Sequence, residues 1–135
     1  MTEFLKGLMT VYKSTAGVAL RNVTGPNLFL EHAIQSAPSP WVVVSIASGN
    51  IAWVMGNPPS MYTQDLTVTF KICSNENVTQ CFTALPLLTA LYDSNLMTLS
   101  GYTHILMQRT REFPTRDYDS EGYIIFVDYH AIVGH

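Results

Sequence analysis

The sequence predicts an α+β fold: a small, mainly antiparallel sheet of four to five strands with two helices packed on one face. The first observation is that residues 62–72 alternate between apolar and polar with a period of two, as a half-buried strand does. The second is that apolar residues of 78–92 recur at three- and four-residue steps, which is typical of an amphipathic helix. Strand and helix are nearly adjacent, so the helix is expected to fold back over the strand.

This strand and helix form the predicted centre of the fold. Phe70 belongs to the apolar face of the strand, so we expect it to be buried between the sheet and the helix. Ser74 or Asn75 is a candidate helix cap, with Glu76 in the first turn. Pro86 interrupts the helical pattern and predicts either a kink or two short helices. The apolar stripe of the helix comprises Val78, Cys81, Phe82, Leu85, Leu88, Leu91 and Tyr92.

The remaining segments supply one more helix and three more strands. Residues 2–16 carry an apolar stripe that Gly17 ends, whereas 28–34 fits a short strand or a short helix equally well. Residues 41–47 are apolar on both faces, which indicates a central strand, and 48–50 are expected to form a turn. The last elements are strands, at 102–113 and 123–133. Residues 51–55 fit either a short edge strand or a loop, before an irregular Pro-rich stretch.

Composition favours one domain, residues 1–135, that buries more surface than a lone monomer would. The chain is 47% hydrophobic and 13% charged, against the roughly 25% charged residues of ordinary soluble domains. The net charge of −3 argues against tight binding to the nucleic-acid backbone. No apolar run reaches the ~18 residues that span a membrane, and the first residues lack the pattern of a signal peptide. We therefore expect a cytosolic origin and an oligomer.

Residues that could carry chemistry do not form a convincing set. Cys73 and Cys81 are expected to be reduced, buried thiols without metal-ligand spacing. Residues 117–128 resemble a calcium loop, yet a strand follows where that motif requires a helix, so a solvated acidic hairpin is favoured. His104, His130 and Asp128 are a candidate acid–base group, although surface histidines fit the pattern better. The sequence predicts no catalytic residue, no cofactor and no metal.

The order of the elements carries a family resemblance across nearly the whole chain. A leading amphipathic helix precedes the Pro-flanked strand Ser39-Pro40-Trp41-Val42-Val43-Val44 and the alternating strand Leu66-Thr67-Val68-Thr69-Phe70-Lys71-Ile72. A helix, a strand bearing Arg109 and Arg111, and the strand Gly122-Tyr123-Ile124-Ile125-Phe126-Val127-Asp128-Tyr129 follow. In this order and length the chain resembles the tail terminator, or tail-completion, proteins of long-tailed bacteriophages, which include proteins that join the tail to the head.

That resemblance implies a non-enzymatic role in virion assembly. It implies a homo-oligomeric ring, generally six-fold, at the head-proximal end of the tail, assembled in the host cytoplasm. Such a ring stops polymerisation of the tail tube protein and docks to the head connector or head-closure protein. DNA passes through the lumen without specific binding, and no membrane is involved.

The sequence also fits three other functions: a head-closure or adaptor ring, a small enzyme, and a monomeric ligand-binding domain. Contact with a neighbouring subunit or with the tube is assigned to the Pro-rich loop. Contact across a subunit boundary is also assigned to the strand that bears the two arginines and to the acidic run that follows it. In the chain these residues are Trp53, Met55, Arg109, Arg111, Asp117, Asp119 and Glu121.

Overall fold

The computed structural model describes residues 2–31, 39–53, 62–117 and 122–134. Three α-helices are present among them, α1 (Thr2–Lys13), α2 (Val18–Thr24) and α3 (Val78–Tyr92), with a short 3-10 helix over Thr15–Gly17 between the first two. The strands are β1 (Leu28–Leu30), β2 (Trp41–Trp53), β3 (Tyr62–Ser74), β4 (Thr98–Leu99), β5 (Tyr102–Asp117) and β6 (Gly122–Gly134).

The six strands form one mixed, half-barrel sheet in the order β1-β2-β3-β6-β5-β4. Strands β1 and β2 run parallel, and every other neighbouring pair is antiparallel. The predicted four-to-five-stranded antiparallel sheet with two helices is therefore wrong. The additional helix, α2, has seven residues, which is too short for a helical period to stand out. The parallel pairing of β1 depends on a long-range contact that local patterns do not encode.

The two long hairpins extend beyond their predicted limits. Strand β2 continues through residues 48–50, where the sequence predicted a turn, and its register with β3 shifts between Ser48 and Ile51. The Ser-Gly-Asn residues that suggested a turn coincide with this register shift. Glycine inside a strand is common at such bulges. Residues 51–53 are strand, so the loop alternative is wrong for them, and among the described residues they pair with β3 alone because β1 reaches only Val42–Val44.

The helix α3 begins at a cap that the sequence placed two or three residues too early. Asn77 occupies the N-cap, and its side-chain oxygen accepts the Gln80 N–H at 3.1 Å. Ser74 supports the same turn by accepting the N–H groups of Glu76 and Asn77. Pro86 lies inside one continuous helix, so the alternative of two separate helices is wrong.

The core lies between the three helices and one face of the sheet. Phe70 is fully buried, stacks on Tyr92 with ring centroids 4.6 Å apart, and meets Tyr129 edge-on at 5.8 Å. This confirms the predicted position of Phe70. The buried Tyr92 hydroxyl donates to the backbone oxygen of Leu8 at 2.8 Å, which fixes α1 against α3.

The helix α1 also packs closely on the segment that carries β4. Gly7 is buried, and a Cβ added there would lie 2.7 Å from Leu99 Cδ2 and 3.4 Å from the Met97 sulfur. Phe4 meets the ring of His104 edge-on, with centroids 5.3 Å apart. Because Gly7 has no side chain, α1 approaches residues 97–99 directly.

Candidate assembly surfaces

The predicted interface residues fall on two hairpins that point in opposite directions. Trp53 ends β2, at the end of the sheet where β3 pairs with Gly134. Asp117 ends β5 at the other end, opposite Gly122. Strand β3 spans 13 residues, so the two ends are separated by roughly 40 Å. Met55, Asp119 and Glu121 lie outside the described residues.

Arg109 faces the helices and is held within its own chain. Its guanidinium lies 3.3 Å from Asp93 Oδ2 and 3.0 Å from Glu112 Oε2. Asp93 directly follows α3, and its other carboxylate oxygen accepts the Tyr129 hydroxyl at 2.6 Å. Burial raises the pKa of the Tyr129 phenol, and the bond to Asp93 raises it further. The Arg109 cluster thus ties the end of α3 to β5 and β6.

Arg111 points to the opposite face of the sheet, which no helix among the described residues covers and which we call the open face. Its Nε and Nη2 atoms donate to Asp128 Oδ2 at 3.1 and 2.9 Å. Thr69 donates to Oδ1 of the same carboxylate at 2.8 Å. Asp128 is 8% exposed, so three donors satisfy a nearly buried charge.

Stacked aromatic rings continue this arrangement across the open face. Phe113 and Phe126 stack with centroids 4.9 Å apart and ring planes 13° from parallel. The Arg111 guanidinium lies 4.6 Å from the Phe113 centroid, and Lys71 Nζ lies 5.7 Å from that of Phe126. Cation–π contacts at such distances contribute about 0.5–1 kcal/mol at exposed sites. No local sequence pattern predicts this cluster, because its members meet only through the strand register.

The structure does not bring Arg109 and Arg111 together, and Asp117 is the one residue of the acidic run that lies among the described residues. A register shift between them turns their side chains to opposite faces. Asp117 lies six residues after Arg111, roughly 20 Å along the strand.

The candidate acid–base group is also divided between the two faces. His104 is buried beneath α1, whereas His130 lies on the open face with Nε2 3.6 Å from Asp65 Oδ1. Asp128 is occupied by Arg111 and Thr69. Burial lowers the pKa of His104. These three residues therefore do not converge on one site, which removes the sequence basis for the enzyme alternative.

Neither cysteine forms a disulfide, and both are buried, as expected. Burial raises the pKa of the Cys81 thiol to about 11, so this thiol is protonated and weakly nucleophilic at neutral pH. Across the described ranges, no three His, Cys, Asp or Glu side chains form a group that could hold a metal ion. The segment after the calcium-like loop is β6, from Gly122 to Gly134, rather than the helix of that motif.

The outer surface of α2 and α3 is almost uncharged and exposes apolar side chains beside a few neutral polar ones. Helix α3 contains no Asp, Glu, Lys or Arg, and α2 contains only Arg21, which donates to the backbone oxygens of Tyr12 and Ser14. Phe82 and Val18 are 49% and 48% exposed. The predicted burial of Phe82 is therefore wrong, because Cys81, Ala84 and Leu88 form the buried side instead. A surface helix ordinarily carries a charged face.

The full chain shares its fold with a component of a solved virion. It superposes on a chain of a structure described as the virion of a native gene transfer agent particle, with a TM-score of 0.76. The match covers 97% of both chains at 12% sequence identity. The likeness is one of fold.

The other comparisons bring no further relative. No family model matches the chain, and no curated protein matches it. None of the helices in the described ranges is long and apolar enough to cross a membrane.

Proposed function

We propose that the protein is a structural component of a phage-type virion that forms a ring at the head-proximal end of the tail. In this role it stops polymerisation of the tail tube and joins the tail to the head. The observation that carries the proposal is the full-length fold likeness to a chain of a gene transfer agent virion. The sequence resemblance to tail terminator proteins is independent of that likeness and points to the same class.

The geometry of the chain suits a protein that must contact several neighbours. Strand β2 ends and β3 begins at one end of the sheet, whereas β5 ends and β6 begins at the other. A joining ring needs one surface for the tube and another for the head, and these hairpins are assigned to the two. We assign Trp53 and Met55 to one end and Asp117, Asp119 and Glu121 to the other.

The uncharged surface of α2 and α3 supplies a third region, which we assign to contact between subunits. Phe82 and Val18 would be largely removed from water there, and burial of apolar area stabilises association by about 25 cal/mol per Å². A head-to-tail ring uses two different patches on each subunit. Arg111, whose side chain on the open face is 66% exposed, is a further candidate for the second patch, in contact with the acidic run of a neighbour, whereas Arg109 faces the helices and is not part of that patch. The acidic net charge favours passage of DNA through the lumen without binding.

The proposal is tested with purified protein and tail tubes. We expect native mass spectrometry to find a closed oligomer, six-fold by the resemblance, alone or with tubes, and electron micrographs to show tubes capped at one end. Phe82→Ser should abolish the ring without unfolding the monomer, whereas the matched exposed change Thr83→Ser should not. A protein that stays monomeric with and without tubes, and leaves both tube ends bare, would contradict the proposal.

A further inference from the structure

His104 joins three parts of the fold at one buried point. It lies on β5, is 6% exposed, and contacts the Phe4 ring of α1. Its Nδ1 accepts the Met97 N–H at 2.8 Å, and its Nε2 lies 2.9 Å from the Leu106 backbone oxygen. Each ring nitrogen therefore faces one backbone group: Nδ1 faces an N–H that can only donate, and Nε2 faces a carbonyl oxygen that can only accept.

Those two contacts define one protonation state of the ring. Since the Met97 amide can only donate, Nδ1 must carry a lone pair, and Nε2 must carry the hydrogen that it donates to Leu106. A second proton on Nδ1 would face the Met97 N–H. The hydrogen bond would be lost, and a buried amide would be left without an acceptor.

The segment held by His104 is the one on which α1 packs. Met97 and Leu99 contact α1 at Gly7, where no side chain intervenes. Phe4 rests on the imidazole itself. If Met97 moves away from a protonated ring, the first two turns of α1 lose both of these supports.

The carboxylates on neighbouring elements are paired with other residues and do not stabilise a positively charged His104 ring. On α1, Glu3 is paired with Lys6 at 3.1 Å, and after α3 Asp93 is engaged by Arg109 and Tyr129. Strand β6 presents Val133 opposite His104. In the described part of the chain, His104 forms no ion pair.

We propose that His104 is a pH-sensitive latch, which holds α1 on the sheet while the ring is neutral and releases its N-terminal half when the ring is protonated. Burial lowers the pKa of His104 in the folded protein, and the neutral form is the one that folding favours. The stabilisation is therefore complete above the ordinary pKa of about 6.5. It is lost progressively as the pH falls from that value through the folded pKa. The latch does not depend on the proposed virion role.

The test is hydrogen exchange of the α1 amides between pH 7.5 and pH 5, corrected for intrinsic exchange. We expect protection of α1 to fall by up to tenfold per pH unit below about 6.5, the limit for release coupled to one proton. His104→Asn keeps an oxygen near the position of Nδ1 but does not titrate, so its α1 protection should be independent of pH in this range. His130→Asn, on the open face, should behave as the unmodified protein does.

Nitrogen NMR of the unmodified protein gives a second readout that needs no variant. We expect the Nε2–H tautomer of His104 at pH 7.5 and a titration midpoint below the ordinary value of about 6.5. The opposite tautomer, a midpoint at or above 6.5, or equal acid sensitivity in His104→Asn would overturn the latch.

Discussion

At the residue scale, the helices are fixed to the sheet mainly by aromatic side chains, and Phe70 is the centre of that group. Phe70→Ala would leave a cavity beneath Tyr92 and beside Tyr129, so we expect it to lower the free energy of unfolding by about 3–5 kcal/mol. Phe82→Ala is the matched control, because Phe82 is 49% exposed, and it should cost about 1 kcal/mol or less. Urea denaturation measures both, and a smaller loss for Phe70→Ala than for Phe82→Ala would contradict the assigned core.

Arg111 provides a second test at this scale. Arg111→Met would leave the carboxylate of Asp128, which is 8% exposed, with the Thr69 hydroxyl as its remaining side-chain donor among the described residues. We expect a loss of about 1–2 kcal/mol, near the low end because water reaches the exposed side of the pair. Lys13→Met, at an exposed position of α1, should change stability by less than about 0.5 kcal/mol. Equal stabilities for the two variants would show that the Arg111–Asp128 pair contributes nothing.

Single residues also show where sequence reasoning succeeded and where it could not. The burial of Phe70 followed from the alternation of β3, because a strand period of two assigns every side chain to a face. Phe82 was misassigned because an uncharged helix has apolar residues all round, and the pattern does not say which side packs. The contact of Asp128 with Arg111 depends on the register of β5 and β6 and on a shift beside Thr110, neither of which a local pattern encodes.

At the scale of elements, Pro86 is the clearest departure from local preference. It lies inside α3 on its exposed side, where proline is about 3 kcal/mol less favourable than alanine. Pro86→Ala should therefore raise the free energy of unfolding by roughly 2 kcal/mol, after allowance for the greater freedom of the unfolded chain. Thermal unfolding followed by circular dichroism checks this, with Ala90→Gly as an oppositely directed control. An unchanged or lower melting temperature for Pro86→Ala would contradict the interpretation.

The edge strand β5 shows a second feature at this scale. Beyond its short pairing with β4, the part from Gln108 onward has no backbone partner on its outer side among the described residues. Pro114 removes a donor from this strand, the register shift beside Thr110 distorts it, and charged side chains flank both features. These are devices that block uncontrolled pairing of exposed edges. The strands β3, β5 and β6 were predicted from alternation, β1 confirms the strand alternative for residues 28–30, and β4, with two residues, was too short to be identified.

At the scale of the whole molecule, the fold leaves the chain with several unlike surfaces and no convergent catalytic group in the described residues. The β2–β3 and β5–β6 hairpins leave the sheet at opposite ends, α3 is uncharged and α2 carries only Arg21, and the open face carries the Arg111–Asp128 cluster. The low charge content predicted oligomerisation, but it could not say which surface is involved. The surface proposed for subunit contact was chosen from the exposure of Phe82 and Val18, which depends on how α2 and α3 pack.

The most direct test of the central claim is the position of the protein in assembled particles. The chain would be tagged at its C-terminus, incorporated into particles of the phage or element that encodes it, and located with gold-labelled antibody. We predict one cluster of label at the junction of head and tail in every particle, and tails of uncontrolled length, without heads, when the chain is deleted. Particles without label, label at another position, or normal infectious particles after deletion would contradict the account.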